Sequence, residues 1–105
     1  MDLITLTPRI SVDPSLRLRS PGQVLLDDYL VPRAETNSQL ARRAGIRVPH
    51  IRQYLLGSRP MSANHAIRLA AALDTTAFYW LTLQARYDLA REWHKQRATS
   101  PWLAR

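Results

Sequence analysis

The sequence has no cysteine, and in 105 residues it has only 3 glycines and a single lysine. Without cysteine there is no disulfide framework and no thiolate metal site. So few glycines leave no glycine-rich loop to cradle a nucleotide phosphate. Apolar runs are short: none approaches the ~20 residues that a membrane-spanning helix needs. The amino terminus has neither a basic leader nor a long apolar run. These features point to a soluble cytoplasmic protein with no membrane partner. The histidines at positions 50, 65 and 94 lack the spacing that gathers a metal. No grouping of Ser, His and Asp stands out as catalytic, so neither a cofactor nor an enzyme activity is expected.

Acids are missing where bases are dense. From Thr36 to Leu73 there are six arginines and no aspartate or glutamate, within a chain of net charge +7. Arginine's planar fork suits phosphate and guanine, and a positive field confined to one segment suits a polyanion. Scattered arginines on a solvated face would give the same count, so the pattern beneath the charge has to decide. Apolar residues make up 46% of the chain. That is enough for one compact domain, with a margin that dimerisation would widen.

The pattern is helical. In Thr36-Asn-Ser-Gln39 a capping box starts a helix, and Gly45 can close it in the left-handed conformation. Leu40, Ala41 and Ala44 share one side, small enough for a second helix to cross closely. The second helix is expected to begin at Pro49, whose ring pushes Val48 out of helical geometry, and to end at Gly57. Ile51, Tyr54 and Leu55 share its packing side. Pro49, Arg52, Gln53 and Leu56 share the opposite side with His50 on the flank, and its Arg, Gln and His are a donor-rich set suited to base edges in a major groove.

Other helices flank this pair. Ser20 caps a helix from Pro21 to about Val31 that Pro32 terminates, with Leu25, Tyr29 and Leu30 inward and Asp27 and Asp28 outward. Ser62 caps a helix over Ala63 to Leu73, alanine-rich for close crossing, with Ile67 and Leu73 as bulk. His65 is expected on its surface. Thr76 caps a long helix to about Gln96 that is apolar on more than one side, Trp80 being core and Phe78, Leu81, Ala85 and Leu89 approximating a stripe. Tyr79, Leu83, Tyr87 and Trp93 are candidates for a two-fold contact, since paired half-sites need paired modules. Residues 1–19 form an amino-terminal arm, 20–98 the domain and 99–105 a tail. From Ile4 to Val12 apolar and polar residues alternate, which reads either as a β-strand on an edge or as an apolar arm. Arg17 and Arg19 suggest a basic link able to brush a minor groove.

Gln39-Leu40-Ala41, Gly45-Ile46, Ile51 and Gly57-Ser58-Arg59 resemble the helix-turn-helix of XRE/Cro-like repressors. Ser20-Pro21-Gly22, Phe78 through Gln84 and Tyr87-Asp88-Leu89 resemble the HigA-type antitoxins within that family. The resemblance implies an all-α, five-helix, lambda-repressor-like domain. It also implies a dimer that binds double-stranded operator DNA and a HigB-like toxin, an mRNA endonuclease, and represses its own operon. By that resemblance Arg52, Gln53 and His50 face bases, Gln39, Arg43, Arg47 and Arg59 hold phosphates, and Val48 and Pro49 open the reading helix. Arg47-Val48-Pro49 departs from the Ser cap usual in the family. That departure motivates one alternative to the antitoxin, a toxin-binding protein whose reading helix has decayed; a lone repressor without a toxin is the other.

Overall fold

A computed structural model describes Arg9 and residues 17–99, and the described residues form five helices and no strand. The alternating segment from Ile4 to Val12 lies outside the described residues except for Arg9, as does the tail beyond Thr99. Helix α1 covers residues 21–33, α2 Asn37–Ala44, α3 Val48–Leu55, α4 Ala63–Leu73 and α5 Ala77–Thr99. No described helix is long and apolar enough to cross a membrane.

Local chemistry sets the starts. Ser20 Oγ accepts the Gln23 N–H at 3.1 Å, and Pro21 sits in the first turn, where a missing N–H costs nothing. Thr36 and Gln39 form the reciprocal capping box at 3.1 and 2.8 Å, which satisfies two amide donors at once. Ser62 accepts the His65 N–H and Thr76 the Tyr79 N–H, each at 3.1 Å. Gly45, at φ 68°, closes α2, the left-handed conformation that suits glycine. Ile46 plugs the corner beneath it.

Several boundaries and faces differ from expectation. Pro32 does not end α1, which continues to Arg33. The turn over Leu25–Leu30 widens into π geometry just ahead of it, Val31 N–H reaching back to the Leu26 carbonyl, so the proline ring is accommodated by a looser winding. Helix α3 starts at Val48, not Pro49: Arg47 is the N-cap and Pro49 lies within the first turn, where its preference for a non-helical predecessor is overridden. Helix α5 runs through Thr99, beyond Gln96. In α4, Ile67 is 62% exposed; Ala66, Leu69 and Leu73 carry the packing, because α5 covers that flank. The expected stripe of α5 is split, Leu81 packing against the core while Phe78 is 47% and Leu89 58% exposed.

The core gathers Leu25 and Leu30 from α1, Leu40 and Ala44 from α2, Ile51 and Tyr54 from α3, Leu69 and Leu73 from α4 and Trp80 from α5. Trp80 is fully buried, its Nε1–H donating to Thr75 Oγ1 at 2.8 Å, with Tyr29 packed against it. A buried indole needs such a partner for its one polar atom. Met61 is buried after the α3 loop, and its N–H donates to Gln84 Oε1 at 2.7 Å, tying that loop to α5.

Helix α1 meets α3 at one very close point. A Cβ built on Gly22 would overlap the Tyr54 carbonyl, so backbone lies on backbone there. Only a residue without a side chain permits that approach. Gly22→Ala is expected to destabilise the domain by at least about 3 kcal/mol, at the upper end for overpacking, because no side chain is free to yield. Urea unfolding followed by circular dichroism measures this, and a loss under about 1 kcal/mol, the lower end for overpacking, would show that α1 can slide.

Candidate nucleic-acid interface

Helix α3 divides cleanly into two faces. Ile51 and Tyr54 are buried, whereas Arg47, Pro49, Arg52 and Gln53 are exposed, with His50 and Val48 half-buried at the margins. Val48 packs against the core cluster, which leaves Pro49 as the apolar contact at the start of the helix. The next residue beyond the helix, Leu56, is 80% exposed and extends the outer surface. Its apolar side chain is of a kind that meets a thymine methyl.

The candidate contacts differ in how free they are. Arg52 and Arg47 make no ion pair among the described residues and are open to a ligand. Gln53 is held: Arg59 Nε donates to its Oε1 at 2.6 Å, and Ser58 Oγ donates to its backbone carbonyl at 3.2 Å. Reading adenine with both ends of the amide requires that Arg59 bond to open; otherwise Gln53 offers only its NH2 group. Gln39 uses Oε1 in the capping box, and its NH2 remains for a phosphate.

Arg43 is committed elsewhere. Its Nε and Nη2 bridge both Glu35 oxygens at 2.7 and 2.8 Å, and Nη1 donates to the Ala72 carbonyl. This two-pronged, charge-assisted grip clamps the start of α2 to the end of α4. The Glu35 carboxyl is held below its ordinary range by that hydrogen bond. Arg19 likewise grips both Asp28 oxygens at 3.0 and 3.1 Å and approaches Asp27 at 3.5 Å, so it is not the free minor-groove link that the sequence suggests. Each arginine stands eight or nine residues from its carboxylate across a helix start, a spacing with no helical or strand period to betray the pair in the sequence.

Sequence reading missed His65. Far from lying loose on the surface, it is half-buried, shares a hydrogen bond with the hydroxyl of buried Tyr54 through Nδ1, and packs its ring 5.2 Å from His50. No periodicity of α4 alone could have shown this, because the partners belong to α3.

This is a helix-turn-helix, with one helix supporting and another presenting a basic, acid-free face. Residues 36–80 match the family described as helix-turn-helix. Pseudomonas aeruginosa antitoxin HigA, solved with the higBA promoter, is 31% identical; the match covers 79% of this chain and 90% of that one, at a TM-score of 0.74. An uncharacterized HTH-type transcriptional regulator of Escherichia coli K12, YbaQ, is 34% identical over 70 residues, which span 67% of this chain and 62% of that protein, so somewhat less than two thirds of that relative is matched. Antitoxin HigA-1 of Vibrio cholerae is also 34% identical over 70 residues, 67% of this chain and 66% of that protein. The chain belongs to the XRE-type helix-turn-helix family, and its structural neighbours are HigA antitoxins.

The Arg43 clamp gives a pH-resolved expectation. Because the folded carboxyl titrates below the ordinary value of 4.5, its contribution is complete above that pH and disappears as pH falls through the folded value. Arg43→Ala should cost about 1 kcal/mol at pH 7, discounted for the exposure of the arginine, with the difference from wild type shrinking in acid. Unfolding curves at pH 7 and pH 3 test it; an equal loss at both would remove the ion pair as the cause.

Proposed function

We propose that the chain is the antitoxin of a toxin–antitoxin module, a cytoplasmic dimer that represses its own operon and neutralises a HigB-like mRNA endonuclease. The observation that carries the DNA reading is the outer face of α3: Arg47, His50, Arg52 and Gln53 stand opposite buried Ile51 and Tyr54, in a segment with no acid. Arg52 takes the base-reading role, best matched to guanine, and Gln53 the neighbouring one. Arg47, Arg59 and the Gln39 NH2 group take phosphates. Arg43 leaves that set, since its donors are engaged by Glu35 and Ala72.

Toxin binding is supported by similarity to HigA antitoxins. Free, exposed arginines on α3 speak against a decayed reading helix despite the unusual Arg47-Val48-Pro49 start. For the two-fold contact we retain Tyr79, Leu83, Tyr87 and Trp93. Tyr79 and Leu83 already pack partly against the protomer's own core, so the distal pair would carry more of it, joined by exposed Leu89. Arg91 lies over the Tyr87 ring at 5.2 Å and Arg97 over Trp93 at 5.1 Å, and these cation–π contacts hold both rings in place.

Two measurements test the reading. If a dimer neutralises ~6–10 phosphates, affinity for the upstream duplex should fall ~10³–10⁵-fold between 50 and 200 mM salt, and a flat response would reject this mode. Arg52→Ala should relax preference at one base pair by ~1–3 kcal/mol, whereas Arg47→Ala should weaken every duplex alike. Identical uniform losses from both would refute the division of labour. Co-expression with the neighbouring reading frame, scored by growth, tests neutralisation separately.

A further inference from the structure

Beside the reading face lies a cluster that base recognition alone does not call for. Tyr54, 1% exposed, sends its hydroxyl to His65 Nδ1, and the His65 ring stands edge-on to Tyr54 with centroids 5.5 Å apart. His65 in turn backs the His50 ring at 5.2 Å, at a tilt of 45°. His50 therefore leans on a post rooted in the core, rather than projecting freely from α3.

Among the described residues, every charge facing this pair is positive. Arg47 at the head of α3 and Arg59 in the following loop face His50; Arg59 and Arg68 of α4 face His65. No described carboxylate acts on either ring. Burial comes first in holding both imidazoles below their ordinary value; Arg59 and Arg47 add to it at His50, and the His50 ring, then Arg59 and Arg68, add to it at His65, so the free protein favours their neutral forms at pH 7. The Tyr54 bond engages the Nδ1 of His65. His50 has no such commitment, and it is the ring on the outer side.

We propose that His65 is a positioning residue for the reading helix, and that the His50–His65 pair takes up a proton, held on His50, when duplex DNA is bound. Binding then strengthens as the solution acidifies. The inference rests on the DNA-binding reading above. Approaching phosphates offset the repulsion from Arg47 and Arg59, so His50 holds its proton more tightly in the complex than in the free chain. By linkage, affinity rises as pH drops from above the bound-state value to below the free-state value. With one proton per protomer the limiting slope is about tenfold per pH unit for each reading helix.

The test measures dissociation constants between pH 5.5 and 8 at fixed ionic strength. The probes are a duplex spanning the segment upstream of the chain's own reading frame and a random duplex of equal length. Affinity should climb toward acid in the wild type, and the climb should vanish in His50→Gln. His65→Gln, which keeps a hydrogen-bonding partner for Tyr54, should retain the climb but move its midpoint to higher pH, because His50 loses part of the burial that opposes its proton. Imidazole proton shifts of the wild type, free and bound, report the same uptake without any variant. An unchanged slope in His50→Gln, a flat wild-type profile, or His50 shifts that do not move on binding would overturn the proposal while leaving DNA binding intact. Absence of binding to either duplex at any pH would overturn the DNA reading and this inference together.

Discussion

The contact between Gly22 and the Tyr54 carbonyl sets how far the reading helix can lean. Two backbones meet there without an intervening side chain, so the distance between α1 and α3 is fixed by atoms that cannot change rotamer. Tyr54 carries the constraint further: its ring fills the core, and its hydroxyl reaches across to α4. Helix α3 is thus gripped at its carboxyl end by α1 and supported by α2, with the Tyr54 hydroxyl tying it to α4, while its outer face remains uncovered. A short helix of modest propensity with a proline in its first turn depends on such packing to hold one orientation.

Electrostatics follows the same division. Asp27, Asp28 and Glu35 engage arginines that hold the frame together, Arg19 with the two aspartates and Arg43 with Glu35. Those pairs neutralise cations where structure needs them. Arg47 and Arg52 have no ion-pair partner among the described residues, so the field on the reading side is not cancelled there. Counting arginines does not separate the two groups; the geometry of their partners does.

Elements governed by neighbouring residues were legible in the sequence. The Ser20, Thr36, Ser62 and Thr76 caps and the Gly45 turn all depend on groups within a few positions, and each holds. The inner face of α3 was readable because Ile51 and Tyr54 keep helical spacing opposite Arg52 and Gln53. What could not be read depends on distant partners. Pro32 looked like a terminator because a widened turn, not a sequence signal, absorbs it. Ile67 looked like core because its exposure is decided by where α5 crosses. Arg43 looked like a phosphate ligand until Ala72, far along the chain, was seen to occupy it. His65 became informative only once the fold set it against His50 and Tyr54.

That the outer face of α3 is where duplex DNA meets the protein is tested most directly by a backbone amide NMR titration of the full chain with the upstream duplex. The largest shifts should fall on Arg47 to Gln53 and on the amides at the start of α2, with the distal half of α5 little changed. Shifts concentrated on α1 and α5, with Arg47 to Gln53 silent at saturation, would contradict it.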